Sequence, residues 1–350
     1  MSKGTILVSG LNGFIAAVTA KHLLDNGYSV RGTVRRSSSA APLVEGPLKS
    51  YAQTGALSVV EVPDITVAGA FDEAVKGVSA IAHLASPVSF NFKDPEPIIK
   101  AAVDGTKTLL NSALKAGPQL KTFVYLSSIV AIMTADPAPY TFTEKDWNNW
   151  AEPTVAEMGK ETPGPVIYSA SKAAAEKAFW TFRDENQPSF TQTALNPVFV
   201  IGPALIAPKT AADVGETVHA IWNIFSGGEF PPPGLTAGLG ATVDVRDVAA
   251  QIEYSISHPD KTSGERYISS AAVATAQSTA DILRKAFPDA KGRIVEGTPG
   301  QGYNPDYTLL DKENVQITDG SKGKKLLKGG EYIPHEKSVI DTAKSFAHLV

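Results

Sequence analysis

The alternation of apolar and amphipathic segments in the first two hundred residues constrains the fold most. Segments 13–26, 67–76 and 97–116 carry apolar residues at helical spacing, which predicts helices. They alternate with short apolar runs typical of buried strands, at 5–10, 29–34, 57–62, 80–85 and 122–128. A helix after Pro165 and a strand at 191–202 continue the pattern. Strands alternating with helices build a parallel sheet covered on both faces, so we predict an α/β doubly wound fold.

The alternation weakens after residue 202, where the sequence becomes rich in proline and glycine, as in GGEFPPPGLTAGLG at 227–240. A helix is predicted at 212–225, and 241–270 is interpreted as strand, helix and strand. With 350 residues, the chain is long enough for two domains. We predict a first domain at 1–202, with 241–270 rejoining it, and a smaller C-terminal α/β lobe formed mainly by 203–350.

Composition excludes several classes of function. The chain has no cysteine, which rules out disulfides, thiolate metal sites and thiol nucleophiles. Its six histidines do not cluster, so no metal site is predicted. A net charge of −4 does not favour nucleic-acid binding, and the basic run at 321–328 is interpreted as a solvated loop and helix start. Without an N-terminal signal segment or a long apolar stretch, we expect no membrane association and a cytoplasmic location.

The turn after the first predicted strand has the spacing G-x-x-G-x-x-A, formed by Gly10, Gly13 and Ala16. The first glycine permits a tight turn, the second lets the backbone approach a pyrophosphate, and the small third residue allows close packing of helix and strand. The helix N-terminus that follows favours anions. The pattern is typical of a Rossmann-type dinucleotide site, and the residues of this turn predicted to bind the cofactor are Gly10, Asn12, Gly13, Phe14 and Ile15.

The end of the second predicted strand indicates which dinucleotide is bound. An NAD-binding protein usually carries an acidic residue there, whereas this chain has Arg35 and Arg36. Since a guanidinium accommodates a 2′-phosphate, NADP(H) is predicted, although both arginines could also be solvated loop residues. After the third strand, Asp64 and Ile65 are candidates for binding and covering an adenine ring; Asp64 could equally cap a helix.

Tyr168 and Lys172 lie four residues apart in an alanine-rich helical segment, so their side chains share one helix face. Alone, such a pair is more often a half-buried surface pair than a catalytic one. The fifth strand, however, ends in Ser127 and Ser128, at the sheet edge where ligands of open α/β sheets bind.

The glycine turn, the serine after the fifth strand and Tyr-x-x-x-Lys together resemble the extended short-chain dehydrogenases/reductases. NGFIA, HLASPV, EKDWN, YSASKAAAE and LNPVFVIGP resemble its dihydroflavonol-reductase and fungal aldehyde and carbonyl reductase groups. The resemblance implies a catalytic set of Ser128, Tyr168 and Lys172, with Ser127 as the rival serine. It also implies that Lys172 holds the cofactor ribose and lowers the pKa of the Tyr168 phenol.

Further site residues follow from the same resemblance. Cofactor contacts are expected from Ala85, Pro197 and Val200. Departures from the family pattern are Ser9 and Leu11 at the first turn and Asp104, where many members carry asparagine. His83 is interpreted as a strand-end residue that holds its loop. Candidates for contact with the substrate are Ser86, Val88, Trp222 and Phe225, the last two of which could instead be packing residues.

The function implied is NADPH-dependent reduction of aldehydes or ketones to alcohols by hydride transfer, with Tyr168 as proton donor. A nucleotide-sugar epimerase or a hydroxysteroid dehydrogenase of the same fold is the alternative. A non-catalytic NADP-sensing regulator is a third option, but it would need no Ser-Tyr-Lys set. We expect a small-molecule carbonyl substrate and a monomer or homodimer.

Overall fold

The computed structural model describes residues 2–86, 92–134, 138–230, 240–313 and 315–350. The chain forms two compact units. Unit 1 comprises Met1–Ala135, Glu144–Asn196 and Ala249–Tyr267, and unit 2 comprises Asp136–Thr143, Pro197–Val248 and Ile268–Val350. The assignment of cofactor binding to residues 1–202 and of substrate binding to residues 203–350 stays a prediction.

A seven-stranded sheet dominates unit 1. Its strand order is β10-β7-β5-β4-β1-β2-β3, and the neighbouring pairs with assigned register, from β3 to β7, are parallel. The first strand lies inside the sheet and the chain winds outward to either side of it, so the predicted doubly wound Rossmann-type fold is confirmed. The described strands are β1 Thr5–Ser9, β2 Ser29–Val34, β3 Leu57–Glu61, β4 Ala80–His83, β5 Thr122–Leu126, β6 Tyr140–Phe142, β7 Thr191–Pro197, β8 Phe199–Ile201, β9 Ala241–Asp244, β10 Arg266–Ser269, β11 Ala272–Val273 and β12 Gln316–Thr318.

Helices pack around this sheet and form much of unit 2. In unit 1 the aromatic rings of Phe123, Tyr125 and Phe179 pack between β5 and a long helix, with centroid distances of 5.0 Å for Tyr125–Phe179 and 5.7 Å for Phe123–Phe179. The described α-helices are α1 Phe14–Asp25, α2 Ala41–Val44, α3 Lys49–Gln53, α4 Pro95–Ala113, α5 Ala151–Met158, α6 Gly164–Asn186, α7 His219–Phe225, α8 Val245–Ser257, α9 Pro259–Thr262, α10 Ala276–Ala286, α11 Ser321–Lys324 and α12 His335–Phe346. No helix of the described ranges is long and apolar enough to cross a membrane.

The prediction of a helix at 67–76 is wrong. Gly69 has a φ of +80°, and the backbone bonds Ala70 N to Val67 O and Asp72 N to Gly69 O link residues three apart, so this segment is a series of turns. Phe71 and Val75 are nevertheless buried in the core of unit 1. Burial on one side therefore produced a helix-like spacing without a helix.

The single strand predicted at 191–202 is two strands. Pro197 has no N–H to donate to a ladder, so β7 ends there, and β8 then pairs with β9 in a separate three-stranded sheet of order β11-β9-β8. Within 241–270, β10 lies in the seven-stranded sheet and β9 in the three-stranded sheet. The helix predicted at 212–225 is shorter, since α7 begins at His219.

Candidate active site

The glycine turn between β1 and α1 has the geometry that its sequence predicts. Gly10 has a φ of +71°, and a Cβ added there would lie 3.1 Å from the Ala85 Cα. The Gly13 N–H donates to the Gly10 carbonyl at 2.8 Å, which closes the turn immediately before the first residue of α1. Ala16 is buried against the sheet. The turn thus brings a helix N-terminus and bare backbone to the carboxyl edge of the sheet.

Ser9 ties this turn to the end of β4. Its hydroxyl accepts the backbone N–H groups of Leu84 and Ala85, both at 2.9 Å, and lies 2.8 Å from the His83 Nδ1. Burial and the positive charge of Lys172 lower the pKa of His83 to about 3, so the imidazole is neutral. The departure at Ser9 therefore has a structural role, and His83 holds its loop as the sequence suggested.

A cavity of about 930 Å³ lies over the carboxyl ends of β1 to β4. Eight of the predicted cofactor-binding residues line it, namely Gly10, Asn12, Gly13, Arg35, Arg36, Asp64, Ile65 and Ala85, as does Ser86 from the substrate list. Phe14 and Ile15 begin α1 and do not line this cavity. Sequence reasoning missed several other lining residues. Ser38 and Ser39 follow the arginines and could have been found as further hydrogen-bond donors. The rest include Thr33, Val34, Val62, Pro63, Thr66, Leu84 and Ala101.

The positive charge of each arginine in the cavity acts on a different carboxylate. The positive charge of Arg35 contributes to a lowered pKa at Asp64, although the hydrogen bonds that the Thr66 hydroxyl and N–H donate to that carboxylate have the larger effect. Asp64 therefore closes a turn rather than capping a helix. Hydrogen bonds from the N–H and hydroxyl of Ser37, with a smaller contribution from Arg36, lower the pKa of Glu61.

Ser128 and Tyr168 meet in unit 1. Ser128 follows β5 at the start of a 3₁₀ helix at Ile129–Ala131, and Tyr168 lies in the first turns of α6. Burial raises the pKa of the Tyr168 phenol, while a hydrogen bond from Ser128 acts in the opposite direction. The protein groups around the phenol thus keep it protonated at neutral pH. The effect of the Lys172 ammonium on the pKa of the phenol, which the resemblance implies, stays a prediction.

Lys172 lies one helical turn after Tyr168 and is only 3% exposed. Burial lowers the pKa of its ammonium to about 8, and the negative charge of Glu176 opposes that shift. A lysine with this pKa is still largely protonated at neutral pH. The helix therefore presents a phenol and a buried cation on the same face.

The two serines after β5 have different partners. The Ser127 hydroxyl donates to the Glu176 carboxylate at 2.5 Å, whereas Ser128 is the serine that contacts Tyr168. Asn196, at the end of β7, donates one amide hydrogen to the Ser128 carbonyl at 3.1 Å and the other to Glu176 at 2.7 Å. Ser128 is thus the serine beside Tyr168, and its catalytic role stays a prediction. Sequence reasoning missed Glu176, whose spacing of four residues from Lys172 was the available signal.

Other predicted site residues are not among the groups around Tyr168 and Lys172, or lie outside the described residues. Asp104 pairs with Lys100 on the surface of α4. Pro197 and Val200 lie in β7 and β8, and their contact with a nicotinamide stays a prediction. Val88 lies outside the described residues.

Trp222 and Phe225 belong to α7, in the core of unit 2. Their rings pack on Phe346 at centroid distances of 5.3 Å and 5.8 Å, and Phe225 is 1% exposed. Such burial favours the packing interpretation. Their role as walls of a substrate pocket stays a prediction.

Comparison with known proteins places the chain in a family. The sequence pattern of the NAD dependent epimerase/dehydratase family matches residues 6–268. The NADPH-dependent methylglyoxal reductase GRE2 of Saccharomyces cerevisiae is 33% identical over 355 residues, covering 97% of each chain, and the ketoreductase azaE of Aspergillus niger is 32% identical over 334 residues, covering 92% of this chain and 91% of that one. The crystal structure of the yeast methylglyoxal/isovaleraldehyde reductase Gre2 complexed with NADPH is similar with a TM-score of 0.83 at 30% identity, covering 99% of this chain and 100% of that one. The chain therefore belongs to the NAD dependent epimerase/dehydratase family, within the extended short-chain dehydrogenases/reductases that its motifs resemble.

Proposed function

We propose that this protein is an NADPH-dependent carbonyl reductase that converts aldehydes or ketones to alcohols. The observation that carries the proposal is the hydrogen bond between Ser128 and Tyr168, with the Lys172 ammonium one helical turn further on. The relatives of known activity are named as NADPH-dependent or carbonyl-reducing enzymes, and the sequence-based prediction of activity and cofactor agrees with those names.

The cavity over β1 to β4 fits a phosphorylated dinucleotide. Its volume of about 930 Å³ is at the upper end of small-molecule sites, and it runs from the Gly10–Gly13 turn to Arg35 and Arg36. The unpaired N–H groups at the start of α1 would hold the pyrophosphate, and the guanidinium groups would hold the 2′-phosphate. When bound, NADPH supplies the hydride.

The side chains of unit 1 supply the rest of the chemistry. Tyr168, kept protonated by burial, donates its phenolic proton to the oxygen of the substrate carbonyl. Ser128 donates a hydrogen bond to that same oxygen and stabilises the charge that develops there. Lys172 holds the ribose hydroxyls and provides positive charge near the phenol as its proton leaves.

The substrate class proposed is an aldehyde or ketone with an apolar substituent. Methylglyoxal and isovaleraldehyde, named for the relatives, are the first compounds to test. The epimerase alternative is less well supported, because the arginines after β2 favour a 2′-phosphate. A non-catalytic regulator would not require Ser128, Tyr168 and Lys172 in one cluster. Whether the protein is a monomer or a homodimer stays a prediction.

The test is to follow NADPH absorbance with purified protein and a panel of methylglyoxal, isovaleraldehyde, ketoesters, aryl ketones and flavanonols. We expect oxidation with at least one compound and loss of that activity in Tyr168→Phe, which should still bind NADPH. Absence of turnover across the panel, with NADPH bound as judged by its fluorescence, would contradict the proposal.

A further inference from the structure

A fully buried carboxylate, that of Glu176, lies one helical turn beyond Lys172 on α6. Glu176, with 0% exposure, forms an ion pair with Arg266, whose Nε is 2.6 Å from Oε1. The Trp180 indole N–H donates to the same oxygen at 3.3 Å. The other oxygen accepts from the Ser127 hydroxyl at 2.5 Å and the Asn196 amide at 2.7 Å. Four donors from α6, β7, β10 and the end of β5 therefore converge on one carboxylate.

The spacing of residues along α6 places the Glu176 carboxylate on the same helix face as Lys172. Tyr168, Lys172 and Glu176 follow one another at intervals of four residues, so they form one row along the helix. Lys172 is 3% exposed, and an ammonium without a nearby opposite charge would be costly at such burial. Glu176 is the negative charge that acts on it.

The other titratable and charged groups around Lys172 do not supply that charge. His83, on β4, is neutral, because its pKa is about 3. Tyr125, on β5, is also neutral, since burial raises the pKa of its phenol. On the helices packed against α6, Asp104 pairs with Lys100 of α4 and Glu152 of α5 pairs with Lys177.

Arg266 offsets the negative charge of Glu176 and so weakens the effect of that carboxylate on Lys172. Its guanidinium stacks on the Trp147 ring at 3.8 Å and donates to the carbonyls of Glu144 and Asp146 at 3.0 Å and 2.6 Å. These contacts fix it beside Glu176. Arg266 thus pairs directly with the carboxylate that lies one helical turn from Lys172. The charge of Lys172 therefore depends on how much of the negative charge of Glu176 the guanidinium offsets.

We propose that Glu176 is a positioning residue that keeps the buried Lys172 ammonium charged, with Arg266 setting how strongly it does so. The role rests on the proposed reductase function, in which a charged Lys172 is required. Tyr168 and Ser128 are the residues proposed to touch the substrate. Glu176 acts on them through Lys172, through Ser127 and through the Asn196 amide, which also donates to the Ser128 carbonyl.

The test measures the titration of Lys172 directly, in the protein without cofactor. Lysine labelled with ¹³C at Cε gives a resonance that reports protonation, and Lys172→Ala assigns it. Glu176→Gln should lower the pH at which Lys172 titrates by roughly one unit, because the remaining guanidinium is then uncompensated. Arg266→Gln should raise it. Trp180→Phe removes one donor but no charge, and should leave it unchanged.

The alkaline limb of kcat for NADPH-dependent reduction should move in the same directions in the same variants. Opposite shifts for the two charge variants are a signature that simple destabilisation would not produce. Glu176→Asp keeps the negative charge, so Lys172 should titrate in it close to the wild-type pH. This variant covers the case in which Glu176→Gln does not fold. Equal titration of Lys172 in wild type, Glu176→Gln and Arg266→Gln would overturn the proposal. Shifted titration without turnover of any carbonyl would uphold the charge coupling and count against the reductase function instead.

Discussion

Replacing Gly10 by alanine should damage both stability and cofactor binding. At a φ of +71°, an alanine costs about 1 kcal/mol relative to glycine. Its Cβ would also lie 3.1 Å from the Cα and 3.2 Å from the Cβ of Ala85, where backbone has to move. Overpacking of this kind costs about 1–3 kcal/mol, so the total expected is about 2–4 kcal/mol.

Gly27 provides the matched control. It has a φ of +85° after α1, but an added Cβ would meet nothing within 4 Å. Gly27→Ala therefore carries the backbone cost of about 1 kcal/mol without the clash. The difference between the two variants isolates the close approach of the turn to Ala85.

The assay is thermal unfolding of both variants, together with NADPH titration by fluorescence. Since Gly10 and Ala85 both line the cavity, Gly10→Ala should weaken NADPH binding by at least about tenfold, or about 1.4 kcal/mol, and Gly27→Ala should bind as wild type. The reasoning is refuted if both variants unfold at the same Tm and bind NADPH equally well.

Further variants test the individual roles. Arg35→Ala should remove most of an at least about tenfold preference for NADPH over NADH in kcat/KM, because a charge-assisted contact is worth about 1.5–3 kcal/mol; unchanged discrimination would exclude that contact. Tyr168→Phe should lower kcat at least about a hundredfold with NADPH affinity near wild type, and a fully active variant would contradict the proton-donor role. Lys172→Ala should weaken both NADPH binding and kcat; a change confined to kcat would argue against ribose contact. Phe225→Ala should destabilise the protein by about 3–5 kcal/mol and slow bulky and small ketones alike, whereas a changed ratio of these rates would support the pocket-wall role.

The glycine turn and the strands were readable from sequence because both are local. The turn at Gly10 and Gly13 depends on residues within a few positions of each other. The starts of β1 to β5 follow from runs of apolar residues, and their ends lie up to two residues before the predicted ones. The same local reasoning failed at 67–76, where burial against the core imitates helical spacing while Gly69 turns the chain. It also failed at Pro197, since the loss of one ladder donor divides an apolar run between two sheets.

The sequence by itself determined the pair Tyr168 and Lys172, since a helix places residues four apart on one face whatever surrounds it. Only the tertiary structure decided which serine meets Tyr168, because neighbouring residues after a strand point in different directions and the partner of each is set by packing. It alone joined Glu176 to Arg266, 90 positions along the chain. Long-range contacts of this kind depend on how the sheet is assembled, and they leave no period in the sequence.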